Sequence, residues 1–190
     1  ISPKVIMDLG SYDGGDALRM AQEFPDCRVI TVEADPARHE IVKNNISGSS
    51  VILEHYAVCE NDGPVSWFPA TLGGAVDAQG SLYRHTDHYQ AIFPNVQQRE
   101  QAEVVHGIRL DSLCRMHGIT EIDLLHMDIE GAENAALHSL GAVRPKIIFA
   151  EMCEDRFIDG PSVDETHTFL LEIGYELVAN LGSDRLYFHK

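Results

Sequence analysis

A histidine and two acids follow directly on an apolar stretch in IDLLHMDIEG, residues 122–131. An unpaired charge is costly to bury, so a strand that only filled a core would stay apolar up to its turn. Alternate side chains of a strand share a face, which places His126 and Asp128 together, with Glu130 next in that register. Ligands bind at the carboxyl ends of parallel strands in open α/β sheets. We therefore predict a reaction site here.

A glycine-rich turn, MDLGSYDGGD at residues 7–16, forms a second candidate site. Such a turn lets the backbone approach a ligand closely, and the N–H groups of the following helix can receive an anion. Glu33 ends the next predicted strand, where a carboxylate can accept hydrogen bonds from ribose hydroxyls. Together these features predict a nucleoside cofactor, although each alone is equally typical of a structural turn or a solvated acid.

The spacing of this turn discriminates between cofactors. It has the form DxGxxxG from Asp8 to Gly14 instead of GxGxxG, so the side chains of Ser11 and Tyr12 would crowd a pyrophosphate. A carboxylate suits a helix N-terminus, and an amine suits acids or carbonyls. S-adenosyl-L-methionine (SAM) carries both groups and is the predicted cofactor. An NAD-linked oxidoreductase and a non-catalytic nucleoside-binding module are the alternatives.

Strands and helices alternate along most of the chain, which predicts one α/β domain over residues 1–190 with a parallel sheet covered by helices on both faces. Pro36 is expected to open the predicted helix 36–45, Asp111 to cap the helix 111–118, and Gly141 to close the helix 131–141. A C-terminal hairpin is predicted over 175–190. The predicted strands are 4–10, 27–34, 51–58, 64–70, 103–110, 122–127 and 146–151, and the predicted helices are 16–24, 36–45, 111–118, 131–141 and 162–173.

Residues 71–100 lack a sustained period and are predicted to form a long irregular insertion, which we call the insertion. As a substrate lid it would offer Tyr83, Arg84 and His85 for substrate binding. A divalent metal site from His85, Asp87 and His88 and a solvated polar loop are the rival interpretations. We predict no metal site, because no fourth ligand is evident. Trp67, just before the insertion, is expected in the core.

Three stretches resemble the FkbM-type SAM-dependent methyltransferases in their residues and in their order along the chain. They are VIMDLGSYDGGD, VITVEADP and RLDSLCRMHGITEIDLLHMDIEGAE. The resemblance implies a Rossmann-like, seven-stranded, mostly parallel sheet with a reversed final strand. It implies O-methylation of a hydroxyl on a small molecule, such as a sugar or a polyketide-type natural product. Two positions depart from the family pattern: His126 stands where many members carry lysine, and Tyr12 where a small residue is commoner.

The resemblance also implies roles for individual residues. Asp128 and Glu130 are expected beside the methyl donor and the substrate. The expected cofactor contacts are Asp8, Gly10, Ser11, Tyr12, Asp13 and Gly14 at the methionine end, Glu33 at the ribose, Ala34 and Asp35 along the adenosine, and Tyr56 and Ala57 beside the adenine.

A hydroxyl must lose its proton as it accepts a methyl group, so a general base is required. We predict His126 or Asp128 as that base, with Glu151 at the end of the next strand as a further candidate. Each has a simpler interpretation. Asp128 could only hold the cofactor amine or the substrate, Glu130 could stabilise the helix that starts at 131, and His126 could be structural.

The chain has a formal net charge of −16, from 30 acids against 14 lysines and arginines. That balance disfavours nucleic acid and anionic membranes as partners and favours a hydroxylated small molecule. The cysteines show no CxxC spacing, which predicts reduced thiols and a cytoplasmic location. Because the first strand begins almost at Ile1, we expect either a trimmed form or part of a larger polypeptide.

Overall fold

The computed structural model describes residues 2–158 and 160–190; Ile1 and Asp159 lie outside the described residues. The strands are β1 (Val5–Leu9), β2 (Arg28–Val32), β3 (Ile52–Glu54), β4 (Ala57–Val58), β5 (Gly63–Trp67), β6 (Ala70–Leu72), β7 (Ala75–Val76), β8 (Arg84–His85), β9 (Val96–Gln98), β10 (Glu103–Ile108), β11 (Leu124–Met127), β12 (Ile147–Glu151), β13 (Phe157–Ile158), β14 (Tyr175–Leu181) and β15 (Asp184–His189). The helices are α1 (Gly15–Glu23), α2 (Pro36–Asn45), α3 (Asp87–Ile92), α4 (Leu110–Met116), α5 (Glu133–His138) and α6 (Val163–Glu172).

Seven strands form the main sheet, in the order β14-β15-β12-β11-β1-β2-β3. Neighbours from β12 to β3 pair in parallel, and β15 runs antiparallel to both β12 and β14. The predicted Rossmann-like sheet and C-terminal hairpin are thus confirmed. The carboxyl ends of β1, β2, β11 and β12 meet at one edge of this sheet, where ligands bind in such folds.

Helices cover both faces of the main sheet, which explains why its central strands carry mostly apolar side chains on both sides. On one face, Ala17 of α1 packs with Ile6 and Val29. On the other, α4, α5 and α6 bury a larger cluster that includes Leu113, Leu137 and further side chains of the sheet. No helix in the described part of the chain is long and apolar enough to cross a membrane.

Two predicted strands depart from expectation. Residues 51–58 form β3 in the main sheet and β4 in a separate sheet, because the chain turns at His55 and Tyr56. The predicted strand 103–110 forms β10, which lies between β4 and β5 in that smaller sheet. This sheet stands beside the carboxyl ends of the main strands and gives the site a second wall.

The insertion is not irregular as predicted: it contains β7, β8, α3 and β9, with β6 at its start. Each of these elements is two to six residues long, too short to produce a detectable period. Thr86 caps α3 by accepting a hydrogen bond from the Tyr89 N–H. β8 pairs with β13, which follows the main-sheet strand β12 and ties the insertion to the reaction edge.

Two of the predicted helix ends also differ. α4 begins at Leu110 with Arg109 as its N-cap, so Asp111 lies inside the first turn, where its carboxylate accepts from Arg109 at 2.9 Å. α5 ends at His138, and Gly141 lies beyond it. Pro36 does open α2, whose N-cap Asp35 accepts from the N–H groups of the first turn.

Candidate active site

A row of polar side chains crosses the middle of the main sheet. Asp8 on β1 stands in register with Thr31 on β2 and His126 on β11. Its carboxylate lies 2.6 Å from Thr31 Oγ1 and 2.6 Å from His126 Nδ1, and the residue is fully buried. The His126 ring stacks on Phe149, its neighbour on β12. Asp8 and His126 therefore satisfy each other inside the sheet.

This pairing gives His126 a pH-dependent part in stability. Burial lowers the pKa of His126, but the hydrogen bond and negative charge of Asp8 outweigh that effect and raise it above the ordinary value. A raised folded-state pKa adds stability below the unfolded pKa of about 6.5, and this stability is lost as the pH rises through the folded value. We expect His126→Gln to lower the free energy of unfolding by more at pH 6 than at pH 9. Urea denaturation at both pH values measures it, and an equal loss would contradict the pairing.

The glycine turn brings the ends of β1 and β11 into backbone contact. Gly10 has a φ of +89°, and a Cβ placed there would lie 1.8 Å from the carbonyl oxygen of Asp128. Only glycine fits both the close approach and the conformation. Tyr12 and Gly14 also have positive φ, and Gly14 is the N-cap of α1. The turn is therefore shaped to leave open space above the strand ends.

That space is a pocket that we call the glycine-turn pocket. It contains seven of the predicted cofactor contacts, and adds walls from the insertion and the smaller sheet. Asp8, Ser11, Asp13, Gly14 and Asp35 do not line it. The predicted residues that line it are Gly10, Tyr12, Glu33, Ala34, Tyr56, Ala57 and Asp128, and the others include Trp67, Ala78, Gly80, Leu82 and Glu130.

The predicted contacts outside this lining have structural roles, and their contact with the cofactor stays a prediction. Ser11 is buried and hydrogen-bonds with Thr31 and with the Val32 carbonyl. The Asp13 carboxylate accepts from the Gly15 N–H at 2.8 Å and so stabilises the start of α1. These residues set the shape of the turn.

Polar groups inside the glycine-turn pocket fit a nucleoside. Glu33 is 7% exposed, and burial raises its pKa to about 7. Its Oε1 accepts from the Asp35 N–H, which holds the carboxylate at the pocket wall. The indole N–H of buried Trp67 has no acceptor in the described part of the chain. A buried donor without a partner is costly, and a ligand with acceptor atoms would satisfy it. Trp67, predicted to be core, is therefore both buried and part of the pocket.

A second opening, the acidic cleft, adjoins the glycine-turn pocket. Asp128 and Glu130 line both, so the two spaces share a wall. Glu151, the third predicted candidate from the strand ends, lines the cleft, whereas His126 lines neither space. The remaining walls of the cleft are Ala78, Gln79, His88, Tyr89, Ile92, Phe93, Cys153, Glu154, Asp155 and Arg156.

The shared acid, Asp128, has a perturbed pKa. Partial desolvation in the cleft and the like charge of Glu151 raise its pKa to about 6. A carboxylate with this pKa is ionised at neutral pH and can accept a proton more readily than an ordinary aspartate. Of these two predicted bases, Asp128 lines the cleft and His126 does not, and the choice between them stays a prediction.

The two acids that follow Asp128 in the sequence have separate partners. Glu130 pairs with Arg156 at 2.6 Å, and Glu133 accepts from the Ile129 N–H at 3.0 Å. Glu133, instead of Glu130, therefore stabilises the start of α5. Gly131 has a φ of +93°, and a Cβ there would lie 2.5 Å from the Phe157 ring. The glycine is required because that ring packs on it.

Three of these acids form a cluster. Oxygens of Asp128, Glu130 and Glu151 lie within 4.8 Å of one another and are the one group in the described residues with metal-ligand geometry. His85, Asp87 and His88, the rival site from the sequence, do not form such a group there. Arg156, which lies beside this cluster, is not among the residues predicted for the site.

The predicted substrate residues of the insertion make contacts outside the glycine-turn pocket and the acidic cleft. Arg84 lies over the Phe68 ring and donates to the Glu100 carbonyl, and buried His85 packs against Tyr89 and Phe157. Tyr83 lines a different opening beside α5 and α6. None of the three lines the glycine-turn pocket or the acidic cleft, so their contact with substrate stays a prediction. The insertion contributes α3 to the cleft instead.

Arg38 of α2 fastens the insertion over the glycine-turn pocket. Its guanidinium donates to the Val76 carbonyl at 2.6 Å, lies 3.8 Å from the Asp77 carboxylate and stacks on the Tyr12 ring. Both charged side chains are 11% exposed. Ala78, which follows directly, and Gly80 line the pocket.

We expect Arg38→Met to weaken SAM binding at least tenfold, about 1.4 kcal/mol. Removing one partner of a buried ion pair leaves the other unpaired, at a cost of about 3 kcal/mol. The segment around Asp77 should then leave the pocket. Calorimetry with SAM measures the affinity, and the double variant Arg38→Met/Asp77→Leu should recover part of it. An unchanged affinity in the single variant would contradict this anchoring role.

Comparison with known proteins agrees with this geometry. The sequence model of the family described as Methyltransferase FkbM domain matches residues 8–177. The 2-O-methyltransferase NoeI of Sinorhizobium fredii (strain NBRC 101917 / NGR234) is 26% identical over 166 residues, which span 82% of this chain and 66% of that protein.

Solved structures share the fold. An O-methyltransferase from Bacillus cereus in complex with SAH has a TM-score of 0.55 at 16% identity, covering 100% of this chain and 75% of that one. The SAH-bound methyltransferase PaMTH1 of Podospora anserina has a TM-score of 0.50 at 13% identity, covering 99% and 72%.

The sheet order, the glycine turn and the family match together place the chain in a class, the SAM-dependent methyltransferases with a Rossmann-like fold. Within that class, the chain belongs to the methyltransferase FkbM domain family. Its cofactor is SAM, and the alternative of an NAD-linked oxidoreductase is thereby excluded.

Proposed function

We propose that this domain transfers a methyl group from SAM to a hydroxyl of a small molecule, such as a sugar or a polyketide-type natural product. One observation carries the proposal: Asp128 lines both the glycine-turn pocket and the acidic cleft. A base at that junction can contact an acceptor in the cleft while the acceptor faces the cofactor. The similarity to a 2-O-methyltransferase supports oxygen as the methylated atom.

SAM supplies an electrophilic methyl group, and the chain supplies alignment and a base. In-line transfer needs the acceptor oxygen held close to the methyl carbon, so much of the barrier is removed by positioning. Asp128 takes the hydroxyl proton onto a carboxylate oxygen as the new bond forms. Its raised pKa, about 6, suits proton acceptance near neutral pH. Glu151, the adjacent carboxylate of the cleft, keeps that pKa raised.

The cleft also suggests the character of the acceptor. Ile92 and Phe93 of the α3 region are 56% and 48% exposed, large fractions for apolar side chains at a cleft wall. The same cleft is also lined by carboxylates, which accept hydrogen bonds from hydroxyls. An acceptor with hydroxyls on one face and apolar surface on the other matches both walls. The net charge of −16 supports a small molecule over nucleic acid or an anionic membrane, and a cytoplasmic location remains a prediction.

The test is a transfer assay with methyl-tritiated SAM against a panel of sugars and hydroxylated polyketides. The proposal predicts label on an acceptor oxygen, as located by mass spectrometry of the product. Label on nitrogen or carbon would contradict O-methylation. SAM binding by calorimetry without transfer to any acceptor would favour the remaining alternative, a non-catalytic binding module.

A further inference from the structure

The acid cluster of Asp128, Glu130 and Glu151 brings three carboxyl groups of like charge close together. Their oxygens lie within 4.8 Å of one another. Like charges at that distance destabilise one another unless a cation or a proton intervenes. Three carboxylates in such a space commonly hold Mg²⁺ or Ca²⁺, which prefer oxygen ligands.

The guanidinium of Arg156 already contacts the cluster, and Arg156 lines the acidic cleft but not the glycine-turn pocket. Nη2 lies 2.6 Å from Glu130 Oε2, and Nη1 lies 3.6 Å from Glu151 Oε2. The side chain is 10% exposed, so these contacts are little screened by water. One guanidinium thus bridges two of the three acids.

Arg156 is held in this position by its surroundings. Its guanidinium lies 4.8 Å from the centre of the Tyr89 ring and 5.3 Å from that of Phe157. Its backbone carbonyl accepts from the Thr86 N–H at 3.0 Å, and the next residue begins β13, which pairs with β8. Aromatic faces and a paired backbone leave the side chain little freedom to swing away. Arg156 therefore connects the acids to the start of α3.

We propose that Arg156 is a positioning residue that supplies the cation of this acid cluster, so that the site holds its acids in place without a divalent metal ion. The guanidinium binds Glu130 and Glu151 and leaves Asp128 as the acid free to meet the acceptor. The catalytic meaning of this arrangement rests on the proposed function. The claim about the cation does not, because metal binding is measured without turnover.

The test titrates Mn²⁺ alone into the apo protein and follows free Mn²⁺ by electron paramagnetic resonance. Arg156→Met keeps most of the side-chain volume and removes the charge, whereas Arg156→Lys retains a cation. We expect Mn²⁺ to bind Arg156→Met at least tenfold more tightly than wild type or Arg156→Lys. The double variant Arg156→Met/Asp128→Asn should lose that gain, which places the bound ion at the cluster. Thermal unfolding and SAM calorimetry check that each variant is folded.

The outcomes that overturn the proposal are specific. A folded Arg156→Met that gains no Mn²⁺ affinity would show that Arg156 does not stand in place of a cation. If the wild type binds Mn²⁺ and Asp128→Asn does not, the cluster is a native metal site and the proposal is wrong. This measurement decides between the two even if Arg156→Met does not fold. Wild-type methyl transfer that stops when EDTA is added and returns with Mn²⁺ would also show a native metal site. Absence of any methyl transfer by wild type would count against the proposed function alone.

Discussion

Asp128→Asn is expected to lower kcat about 10²- to 10⁴-fold at pH 7.5, the range that loss of a general base produces. The amide keeps the shape of the carboxylate but cannot take the hydroxyl proton. Asp128 lines both the glycine-turn pocket and the acidic cleft. Glu130 also lines both, but it is paired with Arg156, so no neighbouring acid is placed to replace Asp128 fully. Initial rates with tritiated SAM and an acceptor found in the panel measure the loss.

A matched control separates catalysis from charge. Asp26 is an exposed acid outside both spaces, and Asp26→Asn changes the net charge by the same amount. We expect its kcat to equal that of wild type. SAM affinity should be largely retained in both variants, because Glu33 and the glycine turn are unaltered. A kcat of Asp128→Asn equal to that of the control would remove Asp128 from the chemistry.

Gly10→Ala is expected to reduce the free energy of unfolding by about 3 kcal/mol or more and to abolish measurable SAM binding. The added Cβ would lie 1.8 Å from the Asp128 carbonyl oxygen, a backbone atom that cannot rotate away. The ends of β1 and β11 must separate to admit it. Since these ends form the floor of the glycine-turn pocket, the cofactor contacts should be lost with them. Urea denaturation and SAM calorimetry measure the two effects.

Gly48 provides the matched control for this substitution. Its φ is +82°, close to that of Gly10, but a Cβ there would meet nothing within 4 Å. Gly48→Ala should therefore cost only the conformational strain, about 1 kcal/mol, and leave SAM affinity unchanged. Equal costs for the two substitutions would show that close approach at Gly10 is unimportant.

Much of the fold could be predicted from the sequence, because the main strands are short, mostly apolar runs and several helices carry recognisable ends. Asp35 and Pro36 fix the start of α2, and the capping box of Ser162 and Glu165 fixes that of α6. The insertion could not be predicted in the same way. Its short elements are held by tertiary contacts, such as the hydrogen bond from Arg38 to the Val76 carbonyl. Contacts of this kind leave no local pattern in the sequence.

The site was predicted in part. A residue at the end of a predicted strand is expected at the edge of the sheet. The location of Glu33, Asp128 and Glu151 near that edge could therefore be predicted from their positions along the chain. The sequence cannot say which of two nearby acids faces inward. Asp8 and His126 lie in register and satisfy each other, a pairing of residues far apart in the chain. Arg156, within the acid-rich segment CEDRF, gave only the weak signal of a single cation among acids.

The central claim is that Asp128 accepts the hydroxyl proton during methyl transfer from SAM. The most direct measurement is the pH dependence of kcat/KM, which reports essential groups of the free enzyme. A base must be ionised to act, so the wild-type value should rise with pH through a midpoint near the Asp128 pKa of about 6 and then level off. Asp128→Asn should lack that midpoint at its much lower rate. A midpoint that persists unchanged in Asp128→Asn would contradict the claim and assign the proton to another group.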